Sequence, residues 1–201
     1  MNESVTGIVL AGGRSTRFGQ PKALELYKGK PFYQYSVDAI SPFCSNIVII
    51  AHPDIKEKIE ASSSYFVICD DKQYQGNGPL AGIWTGMQKK SDWYMIAPCD
   101  TPLLDSTIYK TLCSIVASNE ELDALIPVIK EIRQPLIGMY NRRCLPFIEQ
   151  LLQQQIYKVG ALLQRVSVLT VSEEAFLEDD AFMNINTKAQ FELLLNKKTS
   201  E

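Results

Sequence analysis

Residues 7–24 read Gly-Ile-Val-Leu-Ala-Gly-Gly-Arg-Ser-Thr-Arg-Phe-Gly-Gln-Pro-Lys-Ala-Leu. Ile8, Val9 and Leu10 are a short apolar run of the kind that forms a buried strand. Ala11, Gly12 and Gly13 end it. Without a Cβ, glycine lets the backbone turn sharply and come close to a ligand, and successive N–H groups in such a turn form a concave nest for anionic oxygens. Arg14, Arg17 and Lys22 follow with no acidic residue among them. A glycine-rich turn with clustered cations after a first strand suits a polyphosphate. The segment is not a Walker A loop, because Gln20 rather than Lys follows Gly19. Nor is it a dinucleotide fingerprint, because Gly12 is followed by Gly13 and Arg14. An ordinary strand-to-helix connection would also be rich in turn residues, but it would not need these cations at fixed spacing.

Three further stretches could complete a site. Ala97-Pro98-Cys99-Asp100-Thr101-Pro102 ends an apolar run in one carboxylate stiffened by prolines on both sides. Asp100 there suits Mg²⁺, which takes few protein carboxylates alongside substrate phosphate oxygens. A helix cap would use the same residue type. Gln75-Gly76-Asn77-Gly78-Pro79-Leu80-Ala81-Gly82 is a loop entering a helix, with Pro79 suited to the first turn. Such a helix start can receive an anion or a purine edge. Asp70 and Asp71 precede it, and a carboxylate there could accept from guanine N1–H and N2–H₂. In Phe182-Met183-Asn184-Ile185-Asn186-Thr187, Asn184 and Asn186 point the same way on an extended chain. They suit a metal, a phosphate or a pterin edge, unless Asn186 or Thr187 serves only as a helix cap. His52, the one histidine, reads as structural, and its being single rules out a multi-histidine metal site within one chain. Cys99 reads as a packed thiol, and Arg133 and Gln134 as surface residues.

The elements that must position these groups alternate. Strand-like runs fall at Ile8–Leu10, Ile47–Ile50, Tyr65–Cys69, Trp93–Ala97 and Ala124–Val128. Between them the pattern predicts helices from Pro31 to Ile40 (Phe32, Tyr35 and Ala39 on one side), Leu80 to Lys89 and Ile108 to Ala117. This argues for a mainly parallel sheet covered on both faces. Ligands on such sheets sit beyond the carboxyl ends of the strands, which places Gly12, Asp70 and Asp100 on one rim. Beyond residue 130 the pattern is less regular: a strand over Pro135–Tyr140, antiparallel or at an edge, a helix over Arg142–Gln154, a strand over Val166–Val171, an acidic loop at 172–181, and a closing helix over Lys188–Leu195.

The 201 residues suit one α/β domain over 1–201. A net charge of −3 gives no basic field for nucleic acid. The five cysteines form no Cys-x-x-Cys pair and are odd in number, which argues against a disulfide framework or zinc site and for reduced thiols in a cytoplasmic protein. The first residues show no basic region followed by a long apolar stretch, so a secretory leader is not expected, and no apolar run approaches membrane-spanning length.

Leu-Ala-Gly-Gly at 10–13 with Lys22, Gly-Pro-Leu-Ala-Gly at 78–82, Cys-Asp-Thr-Pro at 99–102, Gln-Pro-Leu at 134–136 and Asn-Ile-Asn-Thr at 184–187 resemble the molybdenum cofactor guanylyltransferases. The resemblance runs nearly the whole chain; one departure is Phe18, where relatives often carry Met. It implies a three-layer Rossmann-like nucleotidyltransferase fold with a mostly parallel central sheet and helices on both faces. Within the one domain it implies an N-terminal part to about 105 that holds the nucleotide and a remainder that holds an acceptor. It implies that Leu10, Ala11, Gly12, Gly13, Lys22, Asp70 (or Asp71, one residue on) and Asp100 bind GTP, and that Asp100 also binds Mg²⁺. Arg17, Gly78, Asn184 and Asn186 would lie towards the pterin. The catalytic set would be Lys22, Arg17 and Asp100. GMP would pass from GTP to the terminal phosphate of molybdopterin, releasing pyrophosphate. The implied partners are these two substrates, with room for transient contacts with biosynthetic or acceptor proteins, and no nucleic acid or membrane. A CTP-dependent relative usually carries Leu-Ala-Ala-Gly at the first site, so Gly12 favours GTP. A sugar-phosphate nucleotidyltransferase and a non-enzymatic GTP-binding delivery protein are the other readings.

Overall fold

The computed structural model describes residues 4–13, 15, 18–119, 121–176 and 179–197. Strand β1 (Val5–Ala11) leads through the short hairpin β2 (Leu26–Tyr27) and β3 (Lys30–Pro31) into α1 (Phe32–Ile40), β4 (Asn46–Ala51), α2 (Pro53–Glu60) and β5 (Phe66–Ile68). The chain then returns through α3 (Pro79–Met87), β6 (Trp93–Pro98) and α4 (Ser106–Val116). It continues through β7 (Ala124–Ile129), β8 (Ile132–Arg133), β9 (Gly138–Asn141), α5 (Leu145–Gln153), α6 (Val159–Leu162), β10 (Val168–Ser172) and α7 (Lys188–Lys197).

The main sheet has eight strands. Seven lie in the order β10-β7-β9-β6-β1-β4-β5, and β8 pairs with β7. β1 is parallel to both β4 and β6, β4 to β5, and β7 to β10, while β9 runs antiparallel to both β6 and β7. The strand expected near residues 135–140 is therefore antiparallel, but it lies inside the sheet rather than at an edge. All four residues of β9 are buried.

Successive strand residues point to opposite faces, and the central strands are apolar on both. Val9, Ile49 and Met95 pack with Tyr33, Val37 and Ile40 of α1, Ile55 and Ile59 of α2 and Ile108 and Leu112 of α4. Ile8, Ile50 and Ile96 pack with Leu80 and Ile83 of α3, Ile148 and Leu151 of α5 and Leu162 of α6. Helix–sheet–helix layering follows, as the alternating pattern predicts. Two details differ. The buried face of α1 uses Tyr33 where Tyr35 was expected; Tyr35 instead donates its hydroxyl to the Tyr27 carbonyl at 2.6 Å. Helix α2 was not foreseen, because only Ile55 and Ile59 of it are buried and its apolar signal is thin. Its start is nevertheless marked: His52 caps it and Pro53 opens it.

Candidate active site

The chain runs from β1 outward to β4 and β5, then crosses back to place β6 on the other side of β1. At such a switch point the loops leaving neighbouring strands diverge and open a crevice at their carboxyl ends. A cleft of about 700 Å³ lies there, lined among others by Gly12, Gly13, Lys22, Asp70, Gly78 and Asp100. The three rim residues expected from the apolar runs thus meet in one place. Leu10 and Asn186 line it too, as do His52 and Leu136. Ala11 is buried as the last residue of β1. Arg14 and Arg17 lie outside the described residues.

The glycine-rich loop folds around Ser15, which has a φ of 49° and whose carbonyl accepts from the N–H groups of Phe18 and Gly19. The Ser15 hydroxyl accepts from the Lys22 N–H at 3.2 Å. Ser15 ties the loop to the short turn that carries Lys22, a role that residue type alone did not signal.

Lys22 is buried, and its ammonium reaches three acceptors: Asp100 Oδ2 at 3.3 Å, the Ile185 carbonyl at 3.0 Å and Asn186 Oδ1 at 3.0 Å. The segment carrying the last two is strapped to the end of β6, since Ile185 N–H donates to the Asp100 carbonyl at 2.8 Å and Thr101 Oγ1 donates to Asn184 Oδ1 at 3.0 Å. Asn186 therefore faces the cleft, whereas exposed Asn184 holds Thr101 beside it. The helix cap falls to Thr187. Its Oγ1 accepts from Gln190 N–H, and Gln190 Oε1 accepts from Thr187 N–H at 3.1 Å, a reciprocal capping box.

Asp70 lines the same cleft. Burial pushes its carboxyl above the ordinary range, while the Gly76 N–H, donating to Oδ2 at 3.4 Å, and nearby His52 act the other way. Asp71 turns outward: its Oδ1 accepts from Gln73 N–H at 2.9 Å. Of the two neighbouring carboxylates, the cleft contains Asp70. Gly78 caps α3 with a φ of 79°, a left-handed conformation that favours glycine, and this aims the first turn of α3 at the cleft. His52 Nδ1 accepts from Asp54 N–H at 3.3 Å, so the histidine is structural as expected and also a wall of the cleft. Burial pushes the Cys99 thiol up to about 12, which suits a packed thiol and not a nucleophile. Arg133 is exposed on β8.

A glycine-rich turn, a buried lysine and a carboxylate thus meet at the switch point of an α/β sheet. The model of the MobA-like NTP transferase domain matches residues 7–168. A protein of Halalkalibacterium halodurans named "Probable molybdenum cofactor guanylyltransferase" is 47% identical over 182 residues, covering 90% of this chain and 92% of that protein. One of the same name from Bacillus cereus is 42% identical, with 92% of each covered. The fold superimposes on the crystal structure of molybdopterin-guanine dinucleotide biosynthesis protein A from Archaeoglobus fulgidus with a TM-score of 0.82, at 23% identity over 98% of this chain and 100% of that one. The chain belongs to the MobA-like NTP transferase family and is a nucleotidyltransferase.

Proposed function

We propose that this protein transfers GMP from GTP to the terminal phosphate of molybdopterin, yielding the guanine dinucleotide cofactor and pyrophosphate. The named relatives support the reaction, and the observation that carries it is the meeting of Lys22, Asp100 and Asn186 in a cleft that Asp70 also lines. The triphosphate lies on the Gly12–Gly13 turn with Lys22 on its phosphates. Asp70 accepts from the guanine edge. The acceptor approaches from the side of Gly78, Asn184 and Asn186, with Arg17 assigned by its place in the motif. In this division, residues to about 105 hold the nucleotide and the remainder the acceptor.

An acceptor phosphate oxygen forms a bond to the α-phosphorus, the bond from that phosphorus to the β-bridging oxygen breaks, and pyrophosphate leaves with the electron pair. The nucleophile is already anionic, so no side chain need remove a proton. What the protein supplies is in-line positioning and neutralisation of charge. Asp100 is the residue suited to hold Mg²⁺. Lys22 engages its Oδ2, and among the described residues no partner meets Oδ1 and no group of three metal-ligating side chains surrounds it. This fits a cation that completes its shell with substrate phosphates and water. Bound there, Mg²⁺ would draw charge from the phosphate oxygens. Five free cysteines, and no described helix long and apolar enough to cross a membrane, are in keeping with a cytoplasmic enzyme.

The test is pyrophosphate release with Mg²⁺ and molybdopterin, with GTP, CTP, ATP and UTP in parallel. Pterin-dependent release with GTP alone is the expected result. Release with CTP instead would move the protein to the cytidylyl relatives, and GTP binding without release would leave a delivery protein.

A further inference from the structure

The Lys22 ammonium has three N–H donors, and all three are taken. One goes to the Asp100 carboxylate, one to the buried main-chain carbonyl of Ile185 and one to Asn186 Oδ1. A phosphate can enter this set only by displacing an acceptor. The three are not equally replaceable. The Ile185 carbonyl belongs to a fully buried residue whose own N–H is bonded to the Asp100 carbonyl, and stranding such a carbonyl is costly. Asp100 is more exposed than Lys22, at 29% against 11% for the side chains, and it is the group that a cation would recruit. Asn186 has its amide fixed by chemistry: a lysine only donates, so the amide oxygen must face it and the NH₂ must turn away.

We propose that Asn186 is a positioning residue for nucleotide binding, and not only a contact for the acceptor. Together with the Ile185 carbonyl, its amide oxygen mounts the Lys22 ammonium, so that the third N–H can turn from the Asp100 carboxylate to a nucleotide phosphate without the lysine swinging free. The mount joins the two halves of the cleft, because Lys22 follows the glycine-rich loop while Asn186 lies 164 residues later in sequence. This rests on the assignment of Lys22 to the nucleotide phosphates.

Two measurements test it. The first needs no nucleotide: competitive acylation of lysines with acetic anhydride, read by mass spectrometry. Lys22 should react slowly in the wild type and several-fold faster in Asn186→Ala. It should return to the slow rate in Asn186→Asp, which keeps an acceptor oxygen. Asn119→Ala, which removes an amide that donates to the Ile115 carbonyl at 2.7 Å and does not line the cleft, should leave the Lys22 rate unchanged. The second is GTP affinity with Mg²⁺ and no acceptor, which Asn186→Ala should weaken about tenfold, the effect of one charge-assisted hydrogen bond. An unchanged Lys22 rate, or an unchanged GTP affinity with only the acceptor KM raised, would overturn the proposal. A wild-type protein that binds no GTP, yet whose Lys22 is released by Asn186→Ala, would uphold the mount and overturn the functional reading instead.

Discussion

Lys22 and Asp100 stand 78 residues apart in sequence, yet their charged groups meet at 3.3 Å in the lining of the cleft. The glycine-rich loop brings one and the end of β6 brings the other, so the pair exists only because β1 and β6 are neighbours. In the proposed reaction both groups would act on charge that develops at phosphorus. Lys22→Ala and Asp100→Asn are each expected to lower kcat/KM by about 10²–10³-fold, the scale known for single electrostatic groups in a preorganised site. Near-normal turnover of Asp100→Asn in Mg²⁺ would show that Asp100 does not hold the cation.

Asp70 should trade stability for function. Burial raises its folded pKa above the ordinary aspartate value of 3.8. The native state therefore holds its proton to higher pH than the unfolded chain, and stability falls as pH rises from 3.8 through the raised value. Above that window the ionised group is a standing cost. Asp70→Asn is accordingly expected to raise the urea midpoint at pH 7, with the gain vanishing in acid where the wild-type carboxyl is protonated. The same variant should bind GTP about 10- to 100-fold more weakly, the loss of a hydrogen bond to a charged acceptor. A gain that persisted unchanged into acid would contradict the assignment of the effect to Asp70 ionisation.

Gly86 marks where α3 presses on β1. A Cβ there would lie 2.6 Å from Ile8 Cδ1, 2.8 Å from Cγ1 and 2.9 Å from Cγ2, and Ile8 is fully buried. An alanine would gain up to about 1 kcal/mol of helix propensity, against an overpacking penalty of about 1–3 kcal/mol. Gly86→Ala is therefore expected to destabilise the fold on balance, read as a lower urea midpoint. Gly13, where a Cβ would meet nothing within 4 Å, is the comparison: Gly13→Ala should leave that midpoint nearly unchanged.

Much of the molecule was legible in the chain because its signals are local. The apolar runs of β1, β4, β6 and β7 identify themselves by composition, as buried parallel strands do. Gly12–Gly13, Asp70 and Asp100 each follow such a run, so the strand-end rule alone collects them on one rim. What depends on partners distant in sequence was not legible. The stretch around Gly138–Asn141 reads as a strand, but nothing within it says that β6 and β7 flank it. Asp70 and Asp71 are chemically alike, and only the path of the loop to Gly76 turns one inward and the other to Gln73. Asn184 and Asn186 form one motif in sequence, but the fold gives them different partners, Thr101 and Lys22. Residue types and spacing determined the chemistry this protein can perform and the sheet that carries it. Which of several equivalent side chains meets which was decided by tertiary packing, because a hydrogen bond is satisfied by whatever donor the fold brings within about 3 Å, regardless of distance along the chain.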